Sequence, residues 1–125
     1  MELKDLFVYK ISLELCDMAW EIYHTFDWQI KKIIGDQFIR AVDSNAANIV
    51  EGYGRYHYLD KIKFYYNARA SLMESKHWCI LLSKRKLVNK KNYDNFLKQI
   101  EHVHYHLNNW INVTYKNRDQ FGSDK

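Results

Sequence analysis

The rarity of helix-breaking residues is the feature that most constrains what this chain can fold into. Its 125 residues contain no proline and only four glycines. Sandwiches, barrels and collagen-like folds need these residues, so the sequence excludes those classes. Because 47% of the residues are hydrophobic, the chain can bury a core and is not disordered. We therefore expect one domain built from long helices.

Apolar residues recur at intervals of three and four along four stretches, the spacing that is typical of amphipathic helices. Asp5 is the predicted N-cap of the first helix, Gly52 the predicted C-cap of the second, and Asn89 the predicted N-cap of the fourth. Short connections favour antiparallel neighbours, so residues 1–117 are predicted to form an up-down four-helix bundle. Residues 118–125 are predicted to be a polar, frayed tail. The predicted helices run from about 8 to 26, 34 to 52, 59 to 86 and 90 to 115.

The distribution of charge bears on location and partners. The first 60 residues carry more Asp and Glu than Lys and Arg, whereas the remainder is strongly basic, within a net charge of +4. This asymmetry suits a polyanionic partner, contacts between acidic and basic faces of subunits, or ordinary solvated faces. No apolar run is long enough for a membrane span and the charged N-terminus is unlike a secretory signal, so a cytoplasmic location is expected.

Extra apolar residues flank the main stripes of the first, third and fourth predicted helices. A four-helix monomer buries one stripe per helix, so the surplus favours packing against another chain. A single wide core-facing surface would account for the same residues. The sequence therefore favours a homo-oligomer and leaves the subunit count open.

A polar face runs beside the apolar stripe of the second predicted helix. Its members, three and four residues apart and hence on one side of the helix, are Gln37, Arg40, Ser44, Asn48 and Glu51. Ser and Asn are mediocre helix formers because their side chains compete for backbone hydrogen bonds, so three turns of them require a reason. We expect a structural role at helix ends or at contacts with other chains. Arg40 is predicted to pair with Asp36, and Arg55 with Glu51.

The second predicted helix resembles the signature of the bacterial 23S rRNA intervening-sequence proteins, a family also called four helix bundle proteins. The matching positions are QFIRA at 37–41, Ser44 and NIVEGYGR at 48–55. FYYNARASLME at 64–74 and DLFVYK at 5–10 are similar to two further blocks, so the resemblance covers about residues 4–115. The chain departs from the pattern near Asp27, usually a proline, and at Ala70, usually a glycine. By resemblance, structural or interface roles fall to Gln37, Arg40, Ser44, Asn48, Glu51, Gly52, Gly54, Arg55, Arg69 and Glu74.

The resemblance implies a helical fold that assembles into ring-like homo-oligomers, usually described as pentamers. Genes of the family often lie within insertions in bacterial large-subunit rRNA genes. A similar bundle, the accessory variability protein of diversity-generating retroelements, assists a reverse transcriptase and contacts its template RNA. The resemblance therefore implies an RNA or ribonucleoprotein setting, with a reverse transcriptase as a candidate partner, and implies no catalyst.

Two segments suit RNA. Five cations lie within eight residues at the predicted turn between the third and fourth helices, which we call the basic turn: Lys84, Arg85, Lys86, Lys90 and Lys91. The loop after the second helix interleaves aromatic rings with a guanidinium, a combination that stacks on unpaired bases, in Tyr53, Arg55 and Tyr56. A solvated turn that complements the helix dipole and a tyrosine-rich interface loop are the alternatives. The two segments lie at opposite ends of an up-down bundle, so one compact site within a subunit cannot use both.

Metal chemistry must be weighed because Glu-x-x-His occurs three times, at Glu21, Glu74 and Glu101. This spacing is half of a di-iron site in ferritin-like bundles. However, Glu21 and Glu74 fall away from the apolar stripes of their helices, and His102 with His106 supplies only two ligands on one face. We expect surface side chains, no metal and no cofactor.

No serine, cysteine or threonine lies in a recognisable nucleophile motif, so an enzyme is not expected. The leading expectation is a non-enzymatic, homo-oligomeric helical bundle, best guessed as a pentamer, with an accessory or scaffold role in RNA or ribonucleoprotein biology and no small-molecule substrate. The alternative is a protein–protein interaction module that binds no nucleic acid. The sequence leaves open which RNA or partner protein is involved.

Overall fold

Four long helices dominate the computed structural model of the chain, which describes residues 1–120 and contains no β-strand within them. Helix α1 packs beside α2 and α4, and α3 packs beside the same two. One core cluster joins the end of α1 to the start of α2 and the end of α3 to the start of α4, so consecutive helices run antiparallel. The all-helical class predicted from the sequence is thereby confirmed. The helices are α1 (Phe7–His24), α2 (Asp36–Gly54), α3 (Tyr58–Lys84) and α4 (Lys90–Lys116).

Short turns precede and follow these helices. A 3₁₀ turn, Leu3–Asp5, leads into α1, and a second, Arg118–Gln120, follows α4. That second turn is the only part of the predicted tail within the described residues, since positions 121–125 lie outside them. Within residues 1–120, no helix has both the length and the apolar character that crossing a membrane would require.

Side-chain caps define two of the helical starts. Asn89 Oδ1 accepts a hydrogen bond from the backbone nitrogen of Asn92 at 2.7 Å, which confirms its predicted role as the N-cap of α4. Asp27 Oδ1 accepts one from the nitrogen of Ile30 at 2.9 Å. The prediction that Asp5 caps α1 is wrong: Asp5 lies in the 3₁₀ turn, and Leu6, buried at 3% exposure, stands at the N-cap.

The second helix begins earlier than its apolar pattern indicates. Asp27 starts a helical turn at Trp28–Ile30, which continues through a π-helical stretch at Lys31–Gly35 into α2. A π-helical stretch closes its hydrogen bonds over five residues, so it shifts the phase of the apolar positions on its two sides. The periodicity of 3.6 is therefore interrupted at the point where the sequence predicted a loop.

The predicted end of this helix at Gly52 is also wrong, because α2 continues to Gly54 and Arg55 is its C-cap. Gly52 lies inside the helix and is buried. A Cβ atom at Gly52 would lie 2.5 Å from Cε1 of Tyr65, so this glycine allows α2 and α3 to approach closely. Its role is packing rather than termination.

Helix α3 carries apolar residues on two faces. The inner face includes Tyr65, Leu72 and Cys79, each at most 1% exposed. A second row faces away from the core clusters and follows the seven-residue repeat of helix–helix seams. We call it the outer stripe; it comprises Tyr66, Ala70, Met73 and Ile80, with the exposed His77 at the repeat position between the last two.

A buried polar pair separates the two hydrophobic clusters of the core. Asn45 Nδ2 donates to Ser12 Oγ at 3.1 Å, and that hydroxyl donates to the carbonyl oxygen of Val8 at 2.7 Å. On one side lies the cluster that contains Phe38 and Phe96, and on the other lies the cluster around Tyr65. The bundle therefore has two ends with separate packing, and the candidate sites lie at these ends.

Candidate nucleic-acid interface

The basic turn is built on a well-formed helix end. The backbone nitrogen of Leu87 donates to the carbonyl of Leu82 at 2.9 Å, and that of Lys86 donates to Ser83 at 3.0 Å, the paired bonds of a Schellman motif. Lys86 occupies the left-handed position of this motif with φ of 60°. Leu82 and Leu87 pack on the same core cluster. Backbone hydrogen bonds and apolar contacts therefore hold the turn.

The cations of the basic turn point into solvent. Lys84, Arg85, Lys86, Lys90 and Lys91 are all exposed. Lys90 also contacts the carboxylate of Asp94 at 3.2 Å, one turn further along α4. Beside the turn, Lys86, Lys90 and Tyr93 help to line an open depression of about 610 Å³.

The antiparallel topology brings a second basic segment to the same end of the molecule. Ile30, at the start of the second helical segment, packs on the core cluster that also receives Leu87 and Val88 of the basic turn. Lys31 and Lys32 directly follow Ile30. We call this end the basic pole, defined by Lys31, Lys32, Lys84, Arg85, Lys86, Lys90 and Lys91.

Sequence reasoning missed the lysines of this second segment because about fifty residues separate them from the basic turn. The segments 27–32 and 84–94 together carry seven Lys and Arg against two Asp. Both aspartates are engaged, Asp27 as a helix cap and Asp94 with Lys90. Combining the predicted topology with the positions of the charges could have revealed the pole.

Aromatic rings accompany the cations at the basic pole. The Trp28 side chain is 74% exposed, and Lys32 Nζ lies 5.7 Å from its ring centroid. Trp20 stacks on Tyr23 with centroids 5.6 Å apart and planes at 14°, and Lys31 Nζ lies 4.9 Å from the Tyr23 centroid. The connection between α1 and α2 thus has the alternation of rings and charges that was predicted for a different loop.

That predicted loop lies at the opposite end of the bundle. Tyr53 is half-buried, its hydroxyl donates to the carbonyl of Met1, and its ring lies 6.5 Å from that of Trp110. The Arg55 guanidinium lies over the Phe64 ring at 4.6 Å. Of the three side chains predicted to contact bases, Tyr53 is therefore committed to packing, whereas Tyr56 remains 73% exposed.

The electrostatic contrast between the two ends is strong. The end opposite the basic pole contains six Lys and Arg and five Asp and Glu, counted over residues 1–6, 51–63 and 116–120. One of these lysines, Lys61, is 9% exposed and donates to the Tyr53 carbonyl at 2.9 Å. Positive charge is therefore concentrated at one end of the bundle.

The polar face of α2 lies partly along α3. Ser44 Oγ and Ser71 Oγ are 2.9 Å apart, and Asn48 Nδ2 donates to the Ser44 carbonyl at 2.8 Å. Arg40 and Gln37, one and two turns before Ser44, are exposed. The middle of the face therefore contacts a neighbouring helix, whereas its start faces solvent.

The ion pairs predicted for this face have different outcomes. Arg55 Nη2 lies 3.4 Å from Glu51 Oε2, as predicted. The prediction for Arg40 is wrong within residues 1–120, because Asp36 accepts a hydrogen bond from the Tyr23 hydroxyl at 2.6 Å and forms no ion pair with Arg40 there. The carboxylate is thus drawn across to α1.

The two family-motif residues on α3 have separate surroundings. Arg69 donates to Asn108 Oδ1 at 2.9 Å and lies over the Tyr66 ring at 4.9 Å, so it ties α3 to α4. Glu74 is exposed and accepts from Trp78 Nε1 at 3.2 Å. Only the first of these side chains links two helices.

The Glu-x-x-His pairs lie on the surface. Glu21, Glu74 and Glu101 are exposed, and Glu101 pairs with Lys76 at 3.2 Å. Over the described part of the chain, positions 1–120, no three His, Cys, Asp or Glu side chains gather as a metal site would need. The imidazoles of His102 and His106, 4.8 Å apart, pack on Phe7.

Burial disfavours the thiolate form of both cysteines. Burial, with Asp43 as a further cause, raises the pKa of Cys16 to about 12. Burial raises the pKa of Cys79 to about 12 as well. A thiol attacks as its thiolate, so neither side chain is poised as a nucleophile.

Comparison with known proteins agrees with the helical architecture. The model of the family described as 23S rRNA-intervening sequence protein matches residues 4–109. A solved structure of a protein with unknown function, from the S23 ribosomal protein family of Bacteroides thetaiotaomicron VPI-5482, is 21% identical with a TM-score of 0.77. The match covers 88% of this chain and 99% of that one. No curated protein matches this chain.

Proposed function

This chain belongs to the 23S rRNA-intervening sequence protein family, and we propose that it is a non-enzymatic, homo-oligomeric bundle with an accessory or scaffold role in RNA or ribonucleoprotein biology. The observation that carries the RNA part of this proposal is the basic pole. Seven cations lie at one end against three acidic side chains, Glu21, Asp27 and Asp94, while the other end is nearly balanced. Such a concentration of charge attracts a polyanion and orients it.

Salt dependence tests this proposal. Cations that neutralise phosphates release counterions, so affinity falls with salt by about 0.7 log units per contact and log unit of salt on a single strand. Five contacts predict a slope of about −3.5, which corresponds to roughly a 100-fold loss between 50 and 200 mM salt. Electrophoretic mobility of a single-stranded rRNA fragment with the purified protein measures this slope.

Matched neutralising variants locate the binding surface. Replacing Lys84, Arg85 and Lys86 by Gln should weaken binding and reduce the slope by about 2. Glutamine is preferable to glutamate because acidic side chains at the C-terminus of α3 would oppose the helix dipole. The control replaces three exposed lysines away from the basic pole by Gln, namely Lys4, Lys10 and Lys116. Equal losses in both variants would mean that net charge, rather than the pole, governs binding.

The outer stripe of α3 supports self-association, and it also favours the alternative function of a protein–protein interaction module. Met73 and Tyr66 expose 55% and 40% of their surface, and apolar surface in a heptad row is the usual basis of helix docking. A ring, with five subunits as the best single value, would cover this row and repeat the basic pole around its axis. Repetition would raise avidity through effective concentration even where each contact is weak.

Light scattering tests assembly. The chain has a mass of 15.2 kDa, so a pentamer should have about five times that value. Met73→Glu should reduce the mass, because it places a charge in the apolar row. Asn67→Glu, on an exposed position of the same helix outside the row, should leave it unchanged. A wild-type monomer would contradict self-association, and RNA binding by that monomer would leave the RNA proposal intact.

The remaining parts of the proposal concern chemistry and location. The raised pKa of the buried Cys79 thiol and of Cys16 supports a protein without a cysteine nucleophile. Both cysteines are free, which is typical of a reducing, cytoplasmic setting. Incubation of the purified protein with an rRNA fragment should therefore leave the RNA uncut. RNA cleavage that co-purifies with the protein, and that is absent from a mock preparation without it, would contradict the prediction that the protein is not an enzyme.

A further inference from the structure

We infer that the basic pole binds single-stranded RNA, and that the indole of Trp28 is the platform on which an unpaired base stacks. This inference rests on the proposed function, since it names the kind of RNA and the ring that distinguishes it. It is carried by the arrangement of aromatic rings and cations around the α1–α2 connection.

The exposure of Trp28 is the first observation. A tryptophan carries one of the largest apolar surfaces of any side chain and is highly buried on average. Trp28 instead exposes 74% of its surface and belongs to neither hydrophobic cluster of the core. Its position is nevertheless fixed, because Asp27 caps the helical turn that starts at Trp28. The ring is thus displayed on a defined backbone.

The cations beside the ring are the second observation. Lys32 follows Trp28 by one helical turn, and its Nζ lies 5.7 Å from the ring centroid. Lys31 lies over Tyr23, which stacks on the half-exposed Trp20. Proteins that bind single strands combine cations along the phosphate backbone with rings on which bases stack. The α1–α2 connection provides both elements within one turn of helix.

The ring also selects between strand types. In an RNA duplex the faces of the bases are stacked on one another, and the deep, narrow major groove admits no side chain. Along the length of a duplex an indole on the surface therefore meets no open base face, whereas it can stack on a splayed base. The lysines and arginines of the basic pole would attract both kinds of RNA, so Trp28 is the residue that separates them.

A second copy of this chain is the competing occupant for an exposed tryptophan. The outer stripe of α3 already supplies an apolar row for self-association, whereas Trp28 lies on the α1–α2 connection with Lys32 Nζ 5.7 Å from its ring. Like charges brought together at a subunit contact would repel. A polyanion therefore fits this surface better than another copy.

The test compares two probes by fluorescence polarisation at fixed salt, a 12-nucleotide oligo(U) and a blunt 12-base-pair RNA duplex. Trp28→Ala should weaken binding of oligo(U) about 5- to 150-fold and leave the duplex affinity unchanged. Trp28→Phe should retain most of the affinity, because phenylalanine still provides a stacking face. The control is Tyr105→Ala, an aromatic residue on α4 that is 64% exposed and lies about four helical turns from Lys90 and Lys91, and it should change neither affinity.

Several outcomes would overturn the inference. Unchanged oligo(U) binding in Trp28→Ala, or an equal loss for both probes, would remove the indole from base stacking. An altered mass of Trp28→Ala in light scattering would identify Trp28 as a subunit contact instead. Should wild-type protein bind neither probe even at 50 mM salt, the proposed RNA function fails with it. Binding that depends on the lysines but not on Trp28 refutes only this inference.

Discussion

Gly52→Ala tests the close approach of α2 and α3 most directly. The added Cβ would lie 2.5 Å from Cε1 and 2.8 Å from Cδ1 of Tyr65, and 3.1 Å from the carbonyl oxygen of Lys61. Tyr65 is 1% exposed, so its ring cannot move into solvent without opening the core. The two helices must therefore separate or the ring must leave its preferred rotamer.

Two opposing effects set the size of the change. Overpacking of a tight core costs about 1–3 kcal/mol. Alanine in a helix interior is favoured over glycine by about 0.5–1 kcal/mol, which offsets part of that cost. We expect a net loss of about 0.5–2 kcal/mol in the free energy of unfolding. For a domain of this size, 1 kcal/mol corresponds to about 4 °C, so the Tm should fall by about 2–8 °C.

Gly54→Ala is the matched control. Gly54 is the last residue of the same helix, and a Cβ there would meet nothing within 4 Å. Thermal unfolding followed by circular dichroism should show an unchanged or slightly raised Tm for Gly54→Ala and a lowered one for Gly52→Ala. A Tm for Gly52→Ala equal to or above that of Gly54→Ala would refute the packing argument. In a Tyr65→Leu background the cost of Gly52→Ala should shrink, because the opposing ring is gone.

Three further predictions concern stability. Lys86→Gly should raise the free energy of unfolding by about 1 kcal/mol in urea titrations, because glycine accepts the left-handed φ of 60° without the strain of a Cβ. A midpoint of urea unfolding equal to or below that of the wild type would contradict this. Ser44→Ala and Ser71→Ala should show a coupling energy of about 0.5–1.5 kcal/mol in a double-mutant cycle, because the two hydroxyls form a hydrogen bond with each other. The RNA affinity of both variants should stay unchanged. Additive effects on stability, or lost RNA binding, would argue against a structural role. The free energy of unfolding of the wild type should fall as the pH rises from about 9 towards 12, because the Cys79 thiol ionises in the unfolded chain while burial holds its folded pKa at about 12. Cys79→Ala should flatten this slope in unfolding titrations at alkaline pH. An unchanged slope would assign the effect to other groups.

Local interactions explain which parts of the fold could be read from the sequence. The cap at Asn89 was predictable because an N-cap bond spans three residues, here from Asn89 to Asn92. The long helices were predictable for a similar reason, since their hydrogen bonds and apolar rows repeat every few residues. The Arg55–Glu51 ion pair was predictable for the same reason, because its two residues are one helical turn apart in the sequence.

Predictions failed where a distant residue decides the outcome. Gly52 carries the local signature of a helix end, but Tyr65, thirteen residues later, requires the absence of a side chain there. Asp36 was expected to pair with Arg40 one turn away, yet Tyr23 of the preceding helix donates to it. In both cases the competing contact comes from another helix, and nothing in the local pattern reveals it.

The candidate site also combines residues that the sequence places together locally with residues that only packing brings together. The sequence alone determined that a helical chain carries five cations at the turn between α3 and α4. The packing of distant segments places Lys31, Lys32 and the exposed Trp28 at that same end, and it buries part of Tyr53 against Trp110 at the other. The physical reason is that periodicity and capping act over a few residues, whereas a surface is assembled by packing segments that are far apart in the chain.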